Sequence, residues 1–112
     1  MNQVNANLKH IRMTPRKMMI VANQIRGKGV QAAIDYLTFC RRRAARPLLK
    51  LVKSALANAN QKGGVDVDNL YIRELLVDKG PTMRRWMPRA RGMATPVLKR
   101  SSHVKLVLAE KA

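Results

Sequence analysis

Apolar positions repeat with a helical period through the first half of the chain and alternate through parts of the second. Met18, Val21, Ala22 and Ile25 stand at i, i+3, i+4 and i+7, the spacing that stacks side chains on one helical face. Thr14-Pro15 precedes them, which predicts a threonine N-cap and proline at the first helical position. Gly27 ends that helix. Val30, Ala33, Ile34 and Leu37 repeat the spacing and predict a second helix over residues 30–39. A third is predicted over 43–61, where Ala45, Leu48, Leu49, Val52, Ala55, Leu56 and Ala59 form a continuous stripe. Pro47 is tolerated only in a first turn, so the helix starts no earlier than about Arg43. Gly63-Gly64 closes it, and the small side chains of Ala55, Ala57 and Ala59 suit close packing on a sheet.

Residues 3–12 read as a strand of irregular alternation. From Asn69 the run LYIRELLV turns β, and near the end Val104, Leu106 and Leu108 alternate with Lys105 and Val107. These last two strands should pair antiparallel. Between them, residues 79–103 contain no acid, and Pro81, Pro88 and Pro96 fall where edges or bends tolerate proline. With Arg89-Ala90-Arg91-Gly92 as its tip, the segment predicts a two-stranded arm. At ~10 residues per side it would reach roughly 30 Å. The expected fold is α+β: three helices packed on a small three-stranded antiparallel sheet, with a long protruding β-hairpin. Residues 1–112 form one domain and 79–103 its arm.

Charge changes the picture most. The chain has 112 residues, 23 Lys and Arg against 6 Asp and Glu, and a formal net charge of +17. The acids are Asp35, Asp66, Asp68, Glu74, Asp78 and Glu110, so 1–34 and 79–109 carry bare positive charge. Self-repulsion at this density destabilises a compact monomer. A polyanion relieves it, and counterion release adds a further drive. Arg42, Arg46, Lys50 and Lys53 predict a basic ridge along the third helix, while Arg16, Lys17 and Arg26 lie off the apolar stripe of the first. An isolated hairpin is marginal in water, so the cationic arm needs a mould, and RNA is the natural one. In Met83-Arg84-Arg85-Trp86-Met87 the arginines suit phosphate, while Trp86 either stacks on a base or anchors the arm to the core.

Other chemistry is sparse. Cys40 excludes an intramolecular disulfide, fits a reducing cytosol and reads as a small buried hydrophobe beside Phe39. His10 and His103 have no metal-ligand spacing with Cys40 or the acids, and Asp66 and Asp68 read as loop chemistry. No catalytic constellation, cofactor motif or metal set is expected. MNQVNANLKH lacks a signal-peptide apolar core, and no run approaches the roughly 20 apolar residues of a membrane span. The expected protein is soluble, cytoplasmic and not an enzyme, with no small-molecule substrate and no membrane partner.

Five stretches together resemble one known family. They are Thr14-Pro15-Arg16-Lys17 with Gln24-Ile25-Arg26-Gly27-Lys28, Ser54-Ala55-Leu56-Ala57-Asn58-Ala59, Gly80-Pro81-Thr82-Met83-Arg84-Arg85, Met87-Pro88-Arg89-Ala90-Arg91-Gly92, and Lys99-Arg100-Ser101-Ser102-His103. In order and spacing they resemble the bacterial large-subunit ribosomal protein numbered twenty-two. The resemblance implies a globular part near the opening of the polypeptide exit tunnel and a hairpin lining the tunnel wall. It also implies binding to several domains of 23S rRNA, a role early in subunit assembly, and contact with neighbouring ribosomal proteins and the nascent polypeptide. It implies that Met83, Arg84, Arg85, Arg89, Ala90, Arg91 and Gly92 lie along or near the tunnel. Lys99, Arg100, Ser102 and His103 would lie on RNA along the return strand. With them, Arg12, Arg16, Lys17, Arg26, Lys28, Arg42, Arg46, Lys50, Lys79, Arg84, Arg85, Trp86, Arg89 and Arg91 complete the expected RNA-binding set.

Rival classes differ in testable ways. An architectural DNA-binding protein would use the arm in a groove. A ribonuclease would need an acid/base pair that the sequence does not supply. A membrane-active cationic protein would need the apolar stripes that the core requires.

Overall fold

In the computed structural model, which describes residues 3–63, 67–88, 92 and 94–110, the elements run β1 (Gln3–Ile11), α1 (Pro15–Ile25), α2 (Val30–Phe39), α3 (Ala45–Lys62), a 3-10 turn (Val67–Asn69), β2 (Leu70–Lys79), β3 (Met83–Pro88), β4 (Ala94–Lys99) and β5 (Ser102–Glu110). Three strands form an antiparallel sheet in the order β1-β5-β2, and β3-β4 form a separate two-stranded ribbon. The α+β reading therefore holds, with the C-terminal strand at the centre of the sheet.

The helices cover one face of that sheet: α3 lies over β1 and β5, α1 over β2, and α2 packs on α3. Most of the buried side chains are those the periodicity marks; Ile34 of α2, also marked, is only half-buried. The buried set includes Met18, Val21, Ala22 and Ile25 of α1, Val30, Ala33 and Leu37 of α2, and Val104, Leu106 and Leu108 of β5. On α3 the buried stripe is Ala45, Leu48, Leu51, Val52, Ala55 and Ala59. Leu51 joins it, whereas Leu49 and Leu56 pack only at its rim and Ala57 is exposed. Burying one leucine side chain contributes about 1.5–3 kcal/mol. One further expectation is corrected: Cys40, read as a buried hydrophobe, is only half-buried. Phe39 beside it stands two and a half turns beyond Val30, on the side of α2 opposite the core, and is 84% exposed.

The caps differ from expectation at one end of α1. Thr14 is its N-cap but makes no side-chain hydrogen bond; its carbonyl accepts from Met18 N–H instead. At the other end Gly27 takes φ +82°, a left-handed conformation that glycine adopts without cost.

Both sheet edges are partly covered. Gly27 N–H donates to Ile72 O, Ile72 N–H donates to Lys28 O, and the Arg26 guanidinium donates to Leu75 O at 2.6 and 3.2 Å, so the α1–α2 turn occupies the open side of β2. On the other edge, Asn58 and Lys62 of α3 donate to the carbonyls of Asn5 and Gln3. Unpaired edges invite pairing with other chains; here side chains and a turn take up some of their carbonyls.

The β3-β4 ribbon projects. It holds six paired positions, Met83↔Lys99 through Pro88↔Ala94. A compact chain of this length has a radius of gyration of about 13 Å. The observed value is 17.2 Å, with extents of 64 × 24 × 18 Å. At the expected tip, Gly92 takes φ +70°, while Arg89, Ala90 and Arg91 lie outside the described residues.

Candidate nucleic-acid interface

The neck where the arm leaves the domain is built from short polar residues. Gly80 N–H donates to Ser101 O at 2.9 Å, and Ser101 Oγ donates to Pro81 O at 2.7 Å. A Cβ on Gly80 would stand 2.5 Å from Ser101 Oγ, so only glycine lets the two strands approach this closely. The fully buried Ser102 donates its hydroxyl to Met13 O at 2.6 Å, tying β5 to the β1–α1 link. His103 stands beside them. Its Nδ1 accepts from His10 N–H at 3.1 Å, and the two rings meet edge to face at 4.9 Å. That contact accompanies the irregularity between Leu8 and Ile11, where His10 takes φ +60°.

Beside this neck opens a cleft of about 780 Å³. Its walls come from four separate stretches: the β1–α1 link, the exposed side of α1, the α2–α3 link and the end of β4 with Arg100. They bring together Arg12, Lys17, Arg42, Arg43, Lys99 and Arg100, with Ile20 and Leu98 as exposed apolar neighbours and no acid among the described lining residues. Among the described residues, none of the six cations is held in an ion pair. Clustered like charges facing water raise the local potential and attract a polyanion.

Five of the six cations belong to the RNA-binding set expected from the sequence; Arg43 enters there only as part of the linking cluster Arg41-Arg42-Arg43. The other expected residues fall elsewhere. Arg46 and Lys50 are exposed along α3 with Lys53, but Arg42 precedes that helix and belongs to the cleft rather than to the ridge. Arg16 and Lys79 are exposed on α1 and at the end of β2. Lys28 is exposed, with Nζ 5.3 Å from the centre of the Tyr36 ring. Arg26 already donates to Leu75 O and Asn23, and Ser102 is buried, so both act here as structural ties. On the arm, Met83 and Arg84 are exposed, and Arg85 stands opposite Val97 in the ribbon. Trp86 is 66% exposed, which places its ring outside the core.

Among the described residues, no three His, Cys, Asp or Glu gather as metal ligands, and no helix is long and apolar enough to cross a membrane. Asp68 lies in the 3-10 turn, away from the cleft; Asp66 lies outside the described residues.

The family model described as Ribosomal protein L22p/L17e matches residues 6–109. The chain belongs to the L22p/L17e family of ribosomal proteins. Members of this family are structural proteins rather than enzymes. Relatives named Large ribosomal subunit protein uL22 support the assignment along nearly the whole chain. The one from Myxococcus xanthus is 56% identical over 107 residues, covering 94% of each chain. That of Syntrophotalea carbinolica is 47% identical, covering 97% of this chain and 99% of its own. That of Geobacter sulfurreducens is 44% identical, with 97% and 98% covered. An L22p/L17e chain has no reaction to perform, so the unpaired cations at its neck call for a binding explanation.

Proposed function

We propose that this chain is a structural, non-catalytic constituent of the large subunit of the cytoplasmic ribosome, and that it binds 23S rRNA through the cleft and the arm together. The observation that carries this reading is the cleft. Among the described residues, six cations without an ion-pair partner converge there from four stretches of chain, with no acid in the lining. Such a site holds a phosphate backbone without reading sequence. The chain acts as one domain, residues 1–112, and residues 79–103 act as an extension threaded through RNA. The globular part sits near the opening of the exit tunnel. The arm carries Met83, Arg84, Arg85, Arg89, Ala90, Arg91 and Gly92 along the tunnel wall, beside the nascent polypeptide and neighbouring large-subunit proteins. Because it ties separate rRNA domains together, it acts early in subunit assembly.

The test is the salt dependence of binding to a 23S rRNA transcript. Each neutralised phosphate contributes roughly 0.7–0.9 to the slope of log affinity against log salt. Changing Arg42, Arg43 and Arg100 to glutamine should flatten that slope by about 2–3 with thermal unfolding unchanged. A slope equal to wild type would mean the cleft faces solvent. Arg46→Gln with Lys50→Gln asks the same of the ridge on α3. Equal-length duplex DNA at matched salt should bind more weakly than the folded transcript.

A further inference from the structure

Phe39 is the most exposed large apolar side chain among the described residues, at 84%. It closes α2, and the core side of that helix is already filled by Val30, Ala33 and Leu37. Cys40 then turns the chain into extended backbone at φ −71°, ψ 130°, and leads into Arg41, Arg42 and Arg43. All three arginines are exposed, and the last two line the basic cleft. A planar ring is thus held in water at the approach to an anion-binding groove.

We infer that Phe39 is a base-stacking platform: an unpaired nucleobase lies on its ring while the adjoining phosphate rests against the arginines that follow. The inference depends on the RNA-binding reading above and adds a contact that phosphate attraction does not supply. Every nucleobase offers a π-face, so an aromatic ring beside a basic groove fixes a single strand regardless of its sequence. The polarity of the contact follows from the neighbours. Asp35, one turn back on α2, is exposed and accepts a hydrogen bond from Gln31. Its carboxylate repels phosphate, so the backbone lies on the arginine side. An apolar protein partner would have to supply acids to satisfy Arg41, Arg42 and Arg43; an RNA strand supplies anions at every step.

Phe39→Ala, Phe39→Leu and Phe39→Trp test this with two probes at one salt concentration: a 23S rRNA transcript, which has unpaired bases, and a fully paired RNA duplex, which has none. Stacking predicts that transcript affinity falls about tenfold for Phe39→Ala, falls nearly as far for Phe39→Leu, and survives in Phe39→Trp. Duplex affinity should not move in any of them. In a Trp86→Phe background, the indole introduced by Phe39→Trp should be quenched by the transcript and not by the duplex. Thermal unfolding should match wild type, because the ring packs on little. Three results overturn the inference: unchanged transcript affinity in Phe39→Ala, full affinity in Phe39→Leu, or equal losses on duplex and transcript. If the wild-type chain fails to bind the transcript at all, the RNA-binding reading fails first; if it binds and Phe39 is indifferent, only the platform fails.

Discussion

Gly80→Ala is the sharpest probe of how the arm is mounted. Gly80 is not in the left-handed region, so alanine suits its backbone and any cost is steric. The added Cβ would stand 2.5 Å from Ser101 Oγ, 3.2 Å from the Ser101 carbonyl carbon and 3.3 Å from His103 Cε1. The hydroxyl can rotate away only by giving up its 2.7 Å bond to Pro81 O. Losing that bond costs about 0.5–1.5 kcal/mol, and overpacking at a close contact costs about 1–3 kcal/mol. Urea unfolding of Gly80→Ala, Ser101→Ala and the double variant separates the two. Ser101→Ala removes the nearest obstacle, so the double variant should be about 1 kcal/mol more stable than the sum of the singles implies. The tight contacts to the Ser101 backbone and His103 remain, so recovery should be partial. Because Ser101 follows Lys99 and Arg100, a shift of Ser101 should disturb their place in the cleft, so RNA affinity should fall with stability. Strict additivity, or an unchanged midpoint in Gly80→Ala, would refute the claim that this contact fixes the neck.

Ala55→Asp puts an unpaired carboxylate at a fully buried position on α3, at a cost of several kcal/mol against a total of about 5–15 kcal/mol; purified protein with native-like thermal unfolding would contradict the packing of α3 on the sheet. Deleting Met83-Arg84-Arg85 should leave the domain folded, since among the described residues the core cluster draws on none between Val77 and Val104, but an odd deletion exchanges the two faces of the ribbon, so ribosomes carrying it should pass nascent chains abnormally; a deletion that abolishes folding would make the arm part of the core.

Much of the fold is legible because helical period and burial report the same geometry. The four apolar positions read on α1 are the four buried there, and α2 runs over the residues its spacing predicts. On α3 the reading slips by one edge. Ala45, Leu48, Leu49, Leu51, Val52, Ala55, Leu56 and Ala59 are all apolar, and together they span an arc wider than the sheet covers. Hydrophobicity alone does not say that Leu51 goes under and Leu49 stays at the rim. The central place of β5 has a trace in the sequence: Val107 and Ala109 are apolar on the side where an edge strand would be polar, and both are buried. Phe39 is the reverse case, where residue type argues for burial and helical phase argues against it, and phase prevails.

The site is legible in content and not in assembly. Counting charges points to a polyanion partner, but Arg12, Lys17, Arg42 and Lys99 are far apart in sequence, and no local pattern says that they share a cleft. What holds the neck beside them is a set of ties between side chains and remote backbone groups: Ser102 to Met13, Ser101 to Pro81, and His103 to His10. Single sequences hide such ties, because a serine that donates to a carbonyl inside the protein looks the same as one that donates to RNA. The division of labour that results is physical. Short polar side chains, buried or half-buried at the neck, use their hydrogen bonds to hold the arm, so the long cations around them keep theirs for the partner. Clustered like charge is repulsive in the free chain, and a bound polyanion would remove that repulsion; on the proposed reading, the energy that destabilises the neck in isolation is the energy that favours its complex with RNA.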